Sequence, residues 1–185
     1  MRVIIAGIPG TGKTSVAKGL VLNGWTLVGF GTVMFEIAKK KYGTKARDDM
    51  RTEIPVKEYR KLQEEAAKKI GKMEGKIIID THCSVLSKKG YYPGLPWEVL
   101  EKLKPHAIIS IEADPKEIKK RRKKDEDIRV RVGDPKEHQE INRYFAAAYS
   151  AMSRAPVSFI QNKQGKLSET VDMVLKTLEA VEADE

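Results

Sequence analysis

The chain has 185 residues, of which 41% are hydrophobic, and this length is typical of one compact α/β domain. No run approaches the roughly 18 apolar residues of a membrane span, and the N-terminus lacks a signal-peptide pattern, so we expect a soluble, cytoplasmic protein. The single cysteine, Cys83, excludes an intrachain disulfide and a cysteine-based zinc cluster. A net charge of +9 favours anionic partners, which include nucleotides and nucleic acid, although lysine-rich runs usually form solvated helix faces.

The first half of the chain alternates short runs of β-branched residues with segments of helical periodicity. Pro55 suits the first turn of a helix, where a missing N–H group costs no hydrogen bond. In chain order the sequence predicts a strand at Arg2–Gly7, a helix at Lys13–Leu22, a strand at Thr26–Gly31, a helix at Thr32–Lys41 and a long helix from Pro55 to Lys72.

The second half continues this alternation, apart from residues 81–96, which are too rich in glycine and proline to predict regular structure. Two Asp-Pro-Lys-Glu sequences, at Asp114 and Asp134, combine an N-cap, a proline and an acid, and each predicts a helix start. The predicted elements are a strand at Lys76–Asp80, a helix at Trp97–Lys102, a strand at Ala107–Glu112, a helix after Asp114, a helix from Asp134 to Ser153, a strand at Pro156–Gln161 and a helix at Leu167–Val181.

Five strands that alternate with helices predict a parallel sheet with right-handed crossovers. Helices are expected on both faces of this sheet, which gives an α/β protein with three layers. The sequence shows no internal repeat and no linker, so we expect a single domain over residues 1–185.

The stretch GIPGTGKTS fits the spacing G-x-x-x-x-G-K-[ST] at Gly7, Gly12, Lys13 and Thr14, between a predicted strand and a predicted helix. The glycines let backbone N–H groups point at phosphates, and the helix directs its positive end at the same place. Lys13 is expected to reach the β- and γ-phosphates, and the Thr14 hydroxyl to lie on Mg²⁺. The motif therefore predicts a site for a nucleoside triphosphate with its metal.

Asp80 ends the predicted strand Lys76–Asp80, which is the position of an acid that orients Mg²⁺ or its water shell. An acid at a strand end can instead cap a turn, and this alternative stays open. We expect no direct catalytic role for His82, because a phosphate acceptor needs no base. Neither His106 nor His138 has a predicted role.

The arginines distinguish a kinase from an ATPase or a nucleotide switch. Transfer between two nucleotides brings many negative charges together and requires bidentate cations around the migrating group. Any one arginine can equally be a solvated charge. The set predicts a donor site, an acceptor site and a closing lid. Its members are Arg47 and Arg51 before the third strand, Arg121 and Arg122 at a helix end, Arg129 and Arg131 in the next loop, and Arg143 in the next helix.

The whole chain resembles the archaeal-type adenylate kinases. The stretches that carry the resemblance are GIPGTGKTS, GFGTVMFEIA (Gly29–Ala38), ARDDMR (Ala46–Arg51), the distinctive DTH…KGYYPGLPWEVL (Asp80–Leu100) and FIQNK (Phe159–Lys163). The resemblance implies a P-loop NTPase fold with an AMP-binding insertion at about 31–73 and a short lid at about 125–134. It implies the reversible reaction of ATP and AMP to two ADP, with Mg²⁺.

The resemblance also implies the roles of individual residues. It places ATP on Gly7, Ile8, Pro9, Gly10, Thr11, Gly12, Lys13, Thr14, Ser15 and Asn162. It places AMP on Gly31, Thr32, Arg51, His82 and Gly94, and Mg²⁺ on Thr14 and Asp80, largely through water. The residues implied for phosphoryl transfer are Lys13, Arg121, Arg129, Arg131 and Arg143. Either Arg121 or Arg122 lies at the donor, and the lid sequence DEDIRVRVGD leaves open which role falls to Arg129 and which to Arg131.

Members of this family are typically trimers, which implies a homo-oligomer. One alternative is another small kinase of the same architecture that acts on CMP, UMP or a non-nucleotide acceptor. A second is a basic RNA-associated P-loop ATPase, although an aromatic content of 6% leaves few stacking platforms for single-stranded RNA. A nucleotide switch is disfavoured, because it needs no acceptor arginines.

Overall fold

The computed structural model describes residues 1–47, 49–87, 89–124 and 133–183, and it omits the side chains of residues 51, 52 and 124. The strands are β1 (Arg2–Ala6), β2 (Thr26–Gly29), β3 (Ile77–Asp80), β4 (Ser84–Ser87), β5 (Gly90–Pro93), β6 (Ala107–Glu112) and β7 (Val157–Gln161). The helices are α1 (Lys13–Val21), α2 (Phe30–Tyr42), α3 (Met50–Glu53), α4 (Val56–Gly71), α5 (Trp97–Leu103), α6 (Pro115–Lys124), α7 (Pro135–Ser153) and α8 (Leu167–Ala183).

Five strands form a parallel sheet in the order β2-β3-β1-β6-β7, with β1 in the centre. The carboxyl ends of these strands therefore lie along one edge, where ligands bind in open α/β sheets. β1 and β3, which both end at this edge, are hydrogen-bonded neighbours. The P-loop after β1 and the acid at the end of β3 thus lie side by side.

Side chains of the central strand alternate between two apolar clusters, as expected for a sheet covered on both faces. Val3 and Ile5 pack in one cluster with residues of α1 and α8. Ile4 and Ala6 pack in the other with residues of α2, α4, α5 and α7. This arrangement confirms the predicted three-layer α/β fold with a five-stranded parallel sheet.

Residues 81–96 differ from the prediction, because they contain an antiparallel hairpin of β4 and β5. Val85 pairs with Tyr92 and Leu86 with Tyr91, so residues of high strand propensity face each other across the hairpin. Gly90, with φ of 110°, allows the turn between them. Gly90 and Pro93 are the first and last residues of β5.

The second strand also ends earlier than predicted, at Gly29, and α2 begins at Phe30. Gly29 pairs with Asp80, the last residue of β3. Phe30 is buried in the apolar cluster on the α2 face of the sheet, and its place in the first turn of the helix directs its side chain there. Gly31 and Thr32 are therefore helical residues in the first turn of α2. Over the ranges that the structure describes, no helix has the length and apolar character to cross a membrane.

Candidate active site

The loop between β1 and α1 has the close contacts that its glycines permit. A Cβ on Gly7 would lie 2.6 Å from the carbonyl oxygen of Ile111 in β6. Gly12 has φ of 86°, and a Cβ there would lie 2.2 Å from the side-chain nitrogen of Asn162. Side chains at these positions would push the loop away from the strands that support it.

Lys13 connects the P-loop to the end of β3. Its ammonium group forms an ion pair with the carboxylate of Asp80 and donates a hydrogen bond of 3.0 Å to the carbonyl oxygen of Thr81. Lys13 is buried, whereas the next residue, Thr14, is exposed. The structure thus brings together the two charged groups that the sequence placed at the phosphate and metal sites.

Asn162, just after β7, holds the other side of the loop. Its amide nitrogen donates a hydrogen bond of 2.8 Å to the carbonyl oxygen of Thr11, and its amide oxygen accepts one of 3.2 Å from the hydroxyl of Thr170 in α8. Its backbone N–H donates to the carbonyl oxygen of Glu112. Asn162 is buried, and these contacts fix its side chain against the P-loop.

Arg121 and Arg122 in α6 both contact carbonyl oxygens of the P-loop. A guanidinium nitrogen of Arg121 lies 3.2 Å from the carbonyl oxygen of Gly10, and Arg122 Nε lies 2.9 Å from that of Pro9. Arg122 also donates to the carbonyl oxygen of Gly133. Both arginines therefore lie at the predicted donor site, and Arg122 additionally connects the loop to the segment that precedes α7.

Arg143 in α7 is paired with Glu112 at the end of β6. Arg143 Nε donates to Glu112 Oε1 at 2.6 Å and Nη2 donates to Oε2 at 2.5 Å, which is a bidentate ion pair. This pair raises the pKa of the Arg143 guanidinium above its ordinary value. Both residues line a cavity of about 780 Å³ that extends to Asn162. The cavity is adjacent to the P-loop and has space for the rest of a nucleotide.

The predicted acceptor residues at the start of α2 lie beside Asp80, on the side of Asp80 that is away from the P-loop. The register of β2 and β3 places Gly29, and hence the start of α2, next to Asp80. A Cβ on Gly31 would lie 1.9 Å from a terminal nitrogen of Arg47, so this guanidinium covers the first turn of α2. Thr32, in the same turn, is exposed. A helix N-terminus and a guanidinium at one place favour an anion.

His82 and Gly94 lie close to each other at the base of the hairpin. A Cβ on Gly94 would lie 1.9 Å from the carbonyl oxygen of His82, and a ring nitrogen of His82 lies 3.2 Å from the carbonyl oxygen of Gly7. The backbone of Arg51 belongs to α3, but its side chain lies outside the described residues. So do Arg129 and Arg131, with residues 125–132 of the predicted lid.

Helix α7 is attached to the sheet and the hairpin by polar side chains. The Gln139 amide bonds to both backbone groups of Ala113, at 2.9 and 3.0 Å. Asn142 donates to the hydroxyl of Ser110 at 3.2 Å and accepts from that of Ser84 at 3.3 Å. No sequence pattern described above predicts these contacts. Their sequence signal is a pair of amide side chains, Gln139 and Asn142, at i and i+3 in the helix.

Burial shifts the pKa of three further titratable groups near the hairpin and α7. Burial raises the pKa of the Cys83 thiol to about 12, so the thiol stays protonated and unreactive near neutral pH. Tyr149 is buried too, which raises its pKa, and its hydroxyl donates to the carbonyl oxygen of Cys83 at 2.7 Å. Burial lowers the pKa of His138, which packs against Tyr91 with ring centroids 5.1 Å apart.

A magnesium ion fits the donors at the P-loop without a dedicated protein cage. No cluster of three or more His, Cys, Asp or Glu residues suited to a metal occurs within the described ranges. Mg²⁺ usually binds one or two protein oxygens together with water and phosphate oxygens. The exposed Thr14 and the Asp80 carboxylate beside Lys13 supply such oxygens.

Solved structures of low sequence identity share this fold. Shikimate kinase from Acinetobacter baumannii, in complex with shikimate, matches 97% of this chain and 93% of its own with a TM-score of 0.62 and 14% identity. Shikimate kinase from Aquifex aeolicus matches 97% of each chain with a TM-score of 0.54 and 19% identity. A family model described as AAA domain matches residues 6–141. The fold and the loop after β1 therefore define a P-loop nucleotide-binding protein.

Curated relatives of higher identity define the family. Adenylate kinase of Pyrobaculum aerophilum is 46% identical over 90% of this chain and 86% of its own. Those of Methanopyrus kandleri and Thermoplasma acidophilum are 42% and 43% identical, over 97% and 96% of this chain and 98% of each relative. The chain belongs to the adenylate kinase family, and it is a nucleoside monophosphate kinase.

Proposed function

We propose that the chain catalyses reversible phosphoryl transfer from ATP to AMP, giving two ADP, with Mg²⁺. The observation that carries this proposal is the position of Asp80 between the P-loop and the first turn of α2. On one side Asp80 is paired with Lys13 of the P-loop, and on the other it is the strand partner of Gly29, where α2 begins. A donor and an acceptor phosphate can therefore approach each other at one carboxylate.

The donor ATP occupies the P-loop and the cavity that extends from it. The phosphates lie on the backbone N–H groups of the loop, at the N-terminus of α1. The contact between Asn162 and Thr11 joins the loop to the cavity, which holds the nucleoside. The residues assigned to ATP are Gly7, Ile8, Pro9, Gly10, Thr11, Gly12, Lys13, Thr14, Ser15 and Asn162.

The acceptor AMP binds at the first turn of α2 and at the base of the hairpin. Gly31 and Thr32 line this side, and the absence of a side chain on Gly31 leaves space for Arg47. His82 and Gly94 form the wall next to the P-loop. Arg51, whose side chain lies outside the described residues, is assigned to the α-phosphate of AMP.

Thr14 and Asp80 would hold Mg²⁺, largely through water. When bound, the ion supplies positive charge next to the phosphates. The ion pair of Asp80 with Lys13 holds this carboxylate at the end of β3, next to the P-loop.

The reaction needs no general base, because an AMP phosphate oxygen is already ionised near neutral pH. The protein aligns the two phosphates, neutralises their charge and excludes water that would otherwise hydrolyse ATP. Lys13, Arg121 and Arg143 take part from the described residues, and Arg129 and Arg131 from the predicted lid. The domain organisation is one nucleoside monophosphate kinase domain, with its AMP-binding part at about 31–73 and the lid at about 125–134.

We also propose that the chain acts in the cytoplasm as a homo-oligomer, a trimer by analogy with its family. Its proposed partners are ATP, AMP and ADP, and we expect neither nucleic acid nor a membrane among them. Gel filtration with light scattering measures the mass of the assembly. A mass of three chains supports the trimer, and a mass of one chain contradicts it.

One experiment tests the reaction. Purified protein is incubated with ATP, Mg²⁺ and each nucleoside monophosphate in turn, and the products are separated by chromatography. We expect two ADP for each AMP consumed. A Lys13→Met variant purified in the same way is the control for a contaminating kinase. A preference for CMP, UMP or no monophosphate would contradict the proposal, and RNA-stimulated ATP hydrolysis without ADP from AMP would favour an RNA-associated ATPase.

A further inference from the structure

We propose that Glu112 is a positioning residue, which fixes the guanidinium of Arg143 in the orientation used for phosphoryl transfer. This inference rests on the proposed reaction and on the role of Arg143 in it. It concerns a residue to which neither the sequence motifs nor the reaction assigns a part.

The carboxylate of Glu112 is buried, with the residue 3% exposed. Oε1 accepts a hydrogen bond from Arg143, and Oε2 accepts one from Arg143 and another, of 2.8 Å, from the amide of Gln161. A buried carboxylate is costly unless cations and hydrogen-bond donors compensate its charge. Both oxygens are compensated here, which fixes the position of the carboxylate itself.

The Glu112–Arg143 pair differs from the ion pairs on the surface of the molecule. In the pair of Lys41 and Glu65, for example, both side chains are about half exposed, at 51% and 44%. Such pairs contribute little, because water screens them and both side chains lose entropy. In the pair at β6 the carboxylate is buried and the guanidinium is half exposed, at 52%. The carboxylate of Glu112 is thus fixed in place, and the guanidinium of Arg143 is half exposed where it lines the cavity.

Arg143 is constrained on an edge and on a face. Glu112 binds two of the five N–H groups of the guanidinium, and the ring of Phe159 lies 5.3 Å from its central carbon. The bidentate contact and the cation–π contact together restrain the orientation of the guanidinium. Arg143 lines the cavity together with Asn162, and its side chain is 52% exposed there. Arg143 is therefore oriented before a nucleotide binds, and this lowers the reorganisation that transfer requires.

The test uses Glu112→Gln, which keeps the size of the side chain but cannot accept both N–H groups as a carboxylate does. We expect kcat to fall about tenfold, while KM for ATP changes less than about twofold, because the P-loop contacts remain. Glu112→Asp keeps the charge but withdraws it by one methylene, and a smaller fall in kcat is expected. Glu179→Gln removes an exposed carboxylate from α8 and is the matched control for net charge.

Rescue by added guanidinium separates positioning from a structural role. In Arg143→Ala a guanidinium ion can bind the Glu112 carboxylate in place of the missing side chain, so we expect added guanidinium to restore part of kcat. In Glu112→Gln/Arg143→Ala this carboxylate is absent, and no rescue is expected. Thermal denaturation of each variant measures folding independently, and Glu112→Asp keeps the test valid if the double variant does not fold.

The outcomes separate this inference from the proposed reaction. If the wild type makes no ADP from ATP and AMP, the proposed reaction fails. If the wild type is active and Glu112→Gln has unchanged or higher kcat, the positioning role is overturned. Equal rescue by guanidinium with and without Glu112 overturns it as well. A fall in kcat that is matched by Glu179→Gln counts as an effect of net charge and also contradicts it.

Discussion

The amide of Asn162 donates a hydrogen bond to the carbonyl oxygen of Thr11, across 151 positions of the chain. This bond joins the loop after the last strand to the loop after the first. The same side chain accepts a bond from Thr170, so α8 holds it in place. The nucleotide-binding loop is therefore supported by residues from the opposite end of the sequence.

The first prediction follows from this contact. Asn162→Ala leaves the Thr11 carbonyl and the Thr170 hydroxyl without their partner, and we expect unfolding free energy to fall by about 1–3 kcal/mol and KM for ATP to rise. Asn23→Ala, which removes an exposed amide bonded to the Gly19 carbonyl, is the control. Denaturant unfolding and initial rates measure the two effects. Equal KM values in both variants would contradict a role for Asn162 in the donor site.

The second prediction concerns Lys13. In Lys13→Met the phosphates lose a cation and Asp80 loses its ion-pair partner, so we expect kcat/KM to fall by at least about a hundredfold. Lys18→Met, which removes an exposed lysine from the same helix, is expected to have wild-type rates. ADP formation under single-turnover conditions is the measurement. Comparable rates in the two variants would refute the assignment of Lys13 to the transferred phosphate.

The third prediction compares two glycines with nearly the same backbone conformation. Gly12 and Gly24 have φ of 86° and 85°, but a Cβ on Gly12 would lie 2.2 Å from Asn162, whereas nothing lies within 4 Å of a Cβ on Gly24. The positive φ destabilises both Gly→Ala variants by about 1 kcal/mol. Only Gly12→Ala displaces Asn162, so it is expected to be the less stable variant and to bind ATP more weakly. Calorimetric binding of ATP to both variants provides the comparison.

The fourth prediction concerns the acceptor side. Gly31→Ala places a methyl group where the end of the Arg47 side chain lies, and this flexible side chain can move away. Alanine also has a higher helix propensity than glycine by about 0.5–1 kcal/mol, so stability should be retained or increased. We expect KM for AMP to rise while KM for ATP stays constant. A variant with unchanged KM for AMP would exclude Arg47 from the acceptor site.

The fifth prediction concerns pH. Burial, and secondly the charge of Arg122, lower the pKa of His138 below its ordinary value of 6.5. As the pH falls below this value, the unfolded chain binds a proton that the folded chain excludes, so stability decreases with decreasing pH. We expect the Tm of the wild type to fall between about pH 7 and pH 5 by more than the Tm of His138→Gln. Parallel pH profiles of the two proteins would contradict this.

Most of the fold follows from local sequence patterns. The predicted strand Ala107–Glu112 has the bounds of β6 in the structure, and its three isoleucines are typical of a buried parallel strand. Both Asp-Pro-Lys-Glu sequences start helices as predicted: Asp114 accepts from the N–H of Lys116, and Asp134 accepts from that of Glu137. These signals depend on neighbouring residues only.

The contacts that complete the candidate site are not local. The partner of Glu112 is 31 positions away, and Gln139 contacts Ala113 across 26 positions. No spacing rule connects such pairs in a single sequence, since they depend on how α7 packs on β6. The hairpin β4–β5 was missed because glycine and proline are counted as breakers, although they also bound short strands.

The contact between Thr11 and Asn162 has a consequence for synthesis of the protein. The phosphate-binding motif emerges early from the ribosome, whereas its supporting asparagine emerges only after most of the remaining chain. A nascent polypeptide that stalls before β7 has β1 and the P-loop but neither Asn162 nor the α8 hydroxyl that holds it. The supported form of the P-loop is therefore completed late in synthesis, only after β7 and α8 have emerged.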